Sequence, residues 1–377
     1  MSSPLKHFDT KSFLNNHWQQ SPLLVRQALT VDNLISKEDL FSLAQEAEVE
    51  SRIIIGDPKA DNWDLQHGPF DQDTYDDLPE THWTLLVQAV DHWLENIREV
   101  LQSFSFLPRW RVDDIMISYS PQHGGVGPHY DLYDVFLIQL QGNRIWRAGQ
   151  LCDDETDVID GLPVKVISDF QEQDSWEMSP GDMLYLPPGI AHWGESLTES
   201  ITLSVGFRAP SDSEFITDFG YFLSEKVSEF SRYSDQKIKD RSASPYQIRQ
   251  EDVDRLKQIM LRYQDSDELL ASWLGQYMTE PKYDDTATEN ENMEMAQFVR
   301  QWQANTLYKN PSSRMAYCEG MLFADGQDFE TTLSFETLNL ICQLDTLHYS
   351  AAKDFSDVRA HNLMWQLLTA GVVFFDV

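Results

Sequence analysis

The 377-residue chain has little cysteine: Cys152, Cys318 and Cys342 are far apart, odd in number and form no CxxC pair. That spacing argues against a disulfide framework and against a zinc ribbon, and it favours a reducing compartment. No apolar run reaches the length of a membrane span, and the opening MSSPLKHFDTKSFLNNHW has no apolar leader core. The expectation is a soluble cytoplasmic protein. Basic residues are also scarce. Against 62 acidic side chains stand 28 lysines and arginines, a formal charge of −34. A surface of that sign repels phosphate backbones, which argues against direct nucleic-acid binding and favours cationic partners. Internal repeats and low-complexity tracts are missing too. What is present is hydrophobic content of 41% with eleven tryptophans, enough for two or three globular cores.

Along the chain the hydrophobic period changes twice. The segment Trp83–Leu94 spaces its apolar residues as an amphipathic helix, with Thr81 available as its cap. From about Trp110 the pattern becomes strand-like: Ile115, Ile117 and Tyr119 alternate with Met116, Ser118 and Ser120. Further short strands are predicted at Asp134–Gln141, Arg144–Ala148, Val164–Ile167, Asp182–Leu186 and Ser200–Phe207, with Gly- and Pro-rich turns between them. Short strands at this spacing read as an antiparallel barrel or sandwich. After Pro210 helical patterns take over, for example Asp252–Arg262 and Glu268–Tyr277. A polar linker over 279–290 follows, and then a tail with helices at Glu294–Ala304, Phe335–Asp345 and Val358–Ala370 and short strands at Met315–Phe323 and Val372–Val377.

The residues with chemical potential lie in the strand region. In Gly127-Pro128-His129-Tyr130-Asp131, a strand would point His129 and Asp131 the same way. One imidazole and one carboxylate supply two ligands of a facial triad, which leaves coordination positions open. Such a pair is a short motif that often arises by chance; its neighbours give it weight. His192 follows the pattern G-D-x-x-Y-x-P-P-G-x-x-H from Gly181, a turn, a short buried strand and a tight Pro-Gly turn that delivers the histidine to the next strand. Arg144 offers the planar cation suited to the far carboxylate of a metal-chelating dicarboxylic acid, with Arg147 as the nearby competitor for that role. Ser118, Thr202 and Ser204 are small hydroxyls placed to line a pocket.

On these residues the chain resembles the JmjC-type ribosomal oxygenases, nearly end to end. The likeness is strongest through Asp113–Ser118, Gly124–Phe136, the Pro-Gly turn before His192, and Ser204–Pro210; the run Trp83–Val90 fits less specifically. The resemblance implies a mainly β fold with α: a JmjC, cupin-like double-stranded β-helix over 1–210, a helical dimerisation region over 211–278 and a winged-helix-like domain over 279–377. It implies an Fe(II)- and 2-oxoglutarate-dependent dioxygenase with iron on His129, Asp131 and His192. The cosubstrate falls on Arg144 and Ser118 and at Thr202, where bacterial relatives carry asparagine. The substrate pocket falls on Asp114, Met116 and Tyr133. The implied reaction is hydroxylation of an arginine β-carbon in a basic large-subunit ribosomal protein, by a homodimer. Two rival readings are a cupin-like metal enzyme that uses no 2-oxoglutarate and a catalytically silent dimeric scaffold, because a fold alone guarantees no activity.

Overall fold

The structure is a computed structural model describing residues 5–57, 62–162, 165–236, 238–241, 243–283, 293–351 and 353–375. The chain divides into two compact units, Met1–Ala209 and Pro210–Val377.

The first unit is built from strands β1 (Leu23–Val25), β2 (Ser51–Asp57), β3 (Asn62–His67), β4 (Trp83–Val87), β5 (Val112–Ser120) and β6 (Asp134–Gln141), followed by β7 (Arg144–Leu151), β8 (Asp174–Met178), β9 (Met183–Leu186), β10 (Ile190–Ser196) and β11 (Ser200–Phe207). Eight of them form an antiparallel sheet in the order β1-β9-β6-β11-β5-β4-β2-β3, and β10-β7-β8 form a second. The period-2 pattern of β5 explains the layering. Ile115, Ile117 and Tyr119 point to one side, where they join Phe13, Leu40, Ile97 and Phe104 from the helical segments in the main core. Phe136 of β6 is fully buried there and has ring centroids of Phe13, Phe104 and Tyr185 within 4.8–5.6 Å. Truncating such a side chain costs about 3–5 kcal/mol. On the opposite side Val135, Leu137, Leu184 and Leu186 of the large sheet meet Trp146, Ala148 and Met178 of the small one. The two sheets therefore face each other across a second, thinner core.

Several sequence expectations need correction. Trp83–Val87 is the strand β4, paired with both β2 and β5, and the helical part is only Val90–Trp93. All five β4 side chains are buried, so the strand shows neither alternation nor a polar face, and its apolar run imitates helical spacing. Thr81 caps no helix; its hydroxyl bonds His82 Nδ1 at 2.8 Å. The strand expected at Val164–Ile167 falls partly on residues 163–164, outside the described residues, and Ile167 forms only an isolated bridge to Val158. The strand expected over Met315–Phe323 is a hairpin of Met315–Cys318 and Met321–Ala324, turned at Gly320 with φ 77°. Of the linker read over 279–290, Thr279 closes a helix and residues 284–290 lie outside the described residues.

The second unit begins with helices Asp212–Lys226, Gln250–Gln264 and Asp267–Thr279. Helices Met295–Ala304, Phe335–Gln343 and Val358–Thr369 then pack with two small antiparallel sheets around Phe298, Trp302, Leu322 and Phe355. In Val358–Thr369 the buried residues Ala360, Leu363, Met364, Leu367 and Leu368 follow the i, i+3, i+4 spacing of one apolar stripe, and Asp357 caps its start. Among the described residues no helix is long and apolar enough to cross a membrane.

Candidate active site

The inner face of the large sheet carries Asp114, Met116, Ser118 and Ser120 on β5, since these alternate with the core-facing Ile115, Ile117 and Tyr119. At the edge of this chamber the chain from Gly127 to Tyr133 is not a strand; it turns at Gly127 with φ 79° and bends again at Leu132 and Tyr133. His129 instead makes a single antiparallel bridge to His192 at the start of β10. Its N–H donates to the His192 carbonyl at 3.0 Å and the His192 N–H donates back at 2.7 Å. Asp131 is tied down by the Gly189 N–H, which donates to its carbonyl at 2.7 Å. Gly189 turns with φ 79°, a conformation that side chains disfavour. The Pro-Gly turn thus serves both halves of the site: it delivers His192 and anchors Asp131.

These backbone bonds bring one ligand atom each of His129, Asp131 and His192 within 4.8 Å of one another. The His192 Nε2 to Asp131 Oδ2 distance is 3.6 Å. Both imidazoles are oriented alike. Nδ1 of His129 faces the Gly127 carbonyl and Nδ1 of His192 faces the Ile190 carbonyl, each at 2.9 Å. A carbonyl only accepts, so the proton sits on Nδ1 in both rings and each Nε2 presents a lone pair. Burial, followed by the neighbouring His129, lowers the His192 pKa to about 4, which keeps it neutral and ready to ligate. Two imidazoles and one carboxylate form the donor set of a facial triad, and the geometry fits a divalent metal.

Arg144 lies on β7 and is 3% exposed. Its Nη1 donates to Ser120 Oγ at 3.1 Å and Ser196 Oγ at 3.3 Å, and Nη2 donates to the Gly194 carbonyl at 3.1 Å. Its Nε is buried without a hydrogen-bond partner. Its plane lies against Trp146, 5.0 Å from the ring centroid, and Trp146 in turn sits 6.0 Å from His192, centroid to centroid. No carboxylate among the described residues makes an ion pair with Arg144, and burial pushes its pKa down to about 10. A buried cation with neutral hydroxyl partners and an orphaned N–H fits an incoming carboxylate. Arg147 answers its candidacy differently: it is paired with Glu195 at 3.2 Å and Glu172 at 3.4 Å and covers Trp193. The sequence reading missed Ser120, Ser196 and their partners Thr84 and Ser200, although Ser120 continues the alternation of Ser118.

Ser118 and Thr202 are register partners on β5 and β11. Ser118 Oγ donates to the Thr202 carbonyl at 3.4 Å, and Thr202 Oγ1 donates to Gln139 Oε1 at 3.1 Å. Asp114 is 3% exposed and accepts from Gln88 and from the Ala89 N–H. Met116 packs against the cluster of Ile54, Trp63 and Leu86. Tyr133 is 42% exposed, but burial of its hydroxyl end and the nearby Asp131, Asp114 and Asp113 carboxylates raise its pKa. Its phenol stays neutral and can donate.

A double-stranded β-barrel with an inward His-Asp-His donor set and a buried arginine that makes no ion pair among the described residues defines a metal- and oxoacid-dependent oxygenase. Comparison with known proteins narrows the class. A JmjC domain family model matches residues 99–215, and a ROXA-like winged helix model matches 257–374. The chain is 38% identical over 280 residues to the ribosomal protein uL16 3-hydroxylase of Escherichia coli strain K12, covering 72% of each. An X-ray structure of E. coli YcfD superposes with a TM-score of 0.90 at 31% identity over the whole of both chains. A second structure of that ribosomal oxygenase, in complex with cobalt and 2-oxoglutarate, gives 0.87 at 30% identity over 99% of each. The chain belongs to the JmjC ribosomal oxygenases.

Proposed function

We propose that this chain hydroxylates an arginine β-carbon in a basic large-subunit ribosomal protein, using Fe(II) and 2-oxoglutarate. The observation that carries the reading is Arg144, a buried guanidinium without a counter-ion in the same barrel as the His129, Asp131 and His192 donor set. The hydroxylase activity of the relative and the cobalt and 2-oxoglutarate bound in the similar structure support the same reaction class. Bound iron with its cosubstrate supplies the oxidising power for inserting oxygen into a C–H bond. The chain itself supplies binding and orientation. His129, Asp131 and His192 hold the metal by Nε2, carboxylate and Nε2. Arg144 holds the remote carboxylate of 2-oxoglutarate, with Ser118 and Thr202 lining that side. Asp114 receives the substrate guanidinium, while Met116 and Tyr133 wall its aliphatic stem. A carboxylate suits guanidinium, whose planar fork of donors lysine cannot reproduce.

The protein works in the cytoplasm, where a ribosomal protein is synthesised and where Cys152, Cys318 and Cys342 stay free thiols. Its catalytic domain is 1–210, its dimerisation region 211–278 and its winged-helix domain 279–377. Dimerisation is supported by helices Asp212–Lys226 and Gln250–Gln264, which bury no residue within the chain and expose Ile216, Tyr221, Leu256 and Met260 at 54–73%. Formal charges argue against nucleic acid as a direct partner.

The test uses an arginine-containing uL16 peptide, its arginine-to-lysine counterpart and the Asp114→Ala variant. Hydroxylation of the arginine peptide alone is expected, with Asp114→Ala losing peptide hydroxylation far more than binding of Fe(II) or 2-oxoglutarate. Equal hydroxylation of both peptides sinks the guanidinium assignment. Turnover that continues without 2-oxoglutarate favours a cupin-like metal enzyme instead, and failure of the reconstituted protein to hold Fe(II) favours a silent scaffold.

A further inference from the structure

Asp114 is held by groups that follow the end of β4, and one of them spans both of its carboxylate oxygens. Gln88 Nε2 donates to both carboxylate oxygens, at 3.2 and 2.9 Å. The Ala89 N–H donates to Oδ2 at 2.9 Å. Ala89 is fully buried and sits at φ 51°, ψ 39°, the left-handed region that residues with a side chain rarely adopt. The same turn is pinned to β5 a second time, because the Ile115 N–H donates to Asp91 Oδ1 at 2.8 Å. The Gln88 amide can sit only one way round. Its Oε1 accepts from Arg52 Nη2 at 3.3 Å, a group that only donates, while its Nε2 faces a carboxylate, which only accepts. A strained amide and a locked amide side chain thus converge on one carboxylate facing the barrel interior.

We propose that Gln88 is a positioning residue: together with the Ala89 N–H it fixes the plane of the Asp114 carboxylate, so that the substrate guanidinium docks in one orientation. The inference rests on the reading of Asp114 given under Proposed function. The Gln88 amide spans the edge between the two oxygens, so the guanidinium meets the lone pairs that remain, and their directions follow the plane of the carboxylate. Small misplacement of a reacting carbon costs orders of magnitude in rate, about a hundredfold for 1 Å. Fixing the carboxylate before the substrate arrives selects which carbon of the arginine side chain is presented to the metal. Losing Gln88 removes the donor that spans both oxygens while the Ala89 N–H stays on Oδ2, which loosens the carboxylate plane, weakens docking and blurs the choice of carbon.

The experiment uses the full-length protein with Fe(II), 2-oxoglutarate and the arginine peptide, comparing Gln88→Met, Asp114→Asn and the double variant. It reads the peptide KM, the 2-oxoglutarate KM, the ratio of hydroxylated peptide to succinate, and the carbon that carries the hydroxyl. Gln88→Met is expected to raise the peptide KM roughly tenfold, the factor typical of a lost hydrogen bond to a charged group. It should also lower the product-to-succinate ratio while leaving the 2-oxoglutarate KM and peptide-free turnover near wild type. The double variant should be no worse than Asp114→Asn. A wild-type peptide KM and ratio in Gln88→Met, with Asp114→Asn impaired, overturns the positioning role and leaves the Asp114 reading standing. Wild-type behaviour of Asp114→Asn overturns both. Additive losses in the double variant overturn the idea that Gln88 acts through Asp114. Should Gln88→Met fail to fold by circular dichroism, Gln88→Asn, which keeps the amide but shortens its reach to Asp114, is read in its place.

Discussion

Replacing Arg144 by methionine should make the ligand-free protein more stable while destroying its use of 2-oxoglutarate. Burial lowers the Arg144 pKa from 12.5 to about 10. The fall corresponds to roughly 3 kcal/mol held against the charged form in the folded state. Methionine removes that penalty and fills much of the space of the aliphatic stem. The loss on the other side is small. Ser120 keeps its bond to Thr84 at 2.9 Å and Ser196 keeps Ser200 at 2.7 Å, so only the Gly194 carbonyl loses a donor, at a cost of about 1 kcal/mol. The guanidinium contact with Trp146 is lost as well, at about 1 kcal/mol, so a net gain of about 1 kcal/mol follows. For a unit of the size of Met1–Ala209 that is a Tm increase of about 2–4 °C. With metal and excess 2-oxoglutarate the order changes: the wild type gains about 3 kcal/mol at a hundredfold excess over Kd, and the variant gains almost nothing. Differential scanning fluorimetry with and without 2-oxoglutarate reads both effects. A ligand-free variant that melts below the wild type refutes the idea that Arg144 is a cation kept uncompensated for its ligand. So does a variant that is still stabilised by 2-oxoglutarate.

Three further outcomes are expected. His129→Ala or Asp131→Ala should abolish 2-oxoglutarate turnover while leaving the far-ultraviolet circular dichroism unchanged, because productive metal binding needs all three donors; full turnover with retained Fe(II) binding in either variant would falsify the triad. The metal-free protein should lose stability in acid before most carboxylates titrate. The His192 pKa falls from 6.5 to about 4 on folding, so the unfolded chain binds the extra proton, and stability present above pH 6.5 is lost as pH drops towards 4. The loss is about 3 kcal/mol by denaturant titration, and His192→Asn should remove that slope. Light scattering at micromolar concentration should report a dimer, and Ile216→Glu with Met260→Glu should shift it to monomer; a wild-type monomer counts against the dimerisation region.

How much of this was legible in the sequence follows from which physical constraints leave a mark on neighbouring residues. Strands with one face in the main core and one in the barrel, such as β5 and β11, alternate visibly, and Ser200–Phe207 was bounded as the structure has it. β4 is buried on both faces, so its sequence carries only hydrophobicity and reads as helix. The donor set was legible by composition and for a partly mistaken reason. His129 and Asp131 do not share a strand face; the mutual His129–His192 bonds and the Gly189 N–H aim them, and it was the Pro-Gly turn, recognisable in itself, that encoded both. Arg144 and Arg147 are alike in sequence, and only their surroundings separate a cation that makes ion pairs from one bonded to hydroxyls and a carbonyl. Gln88 and Ala89 left no signal at all, since a glutamine ending an apolar run announces nothing, and left-handed backbone at alanine cannot be anticipated from its residue type. The parts of a site that ligate are chosen from a few chemically distinctive side chains. The parts that aim those ligands are ordinary residues made specific by the fold, and a single sequence records them last.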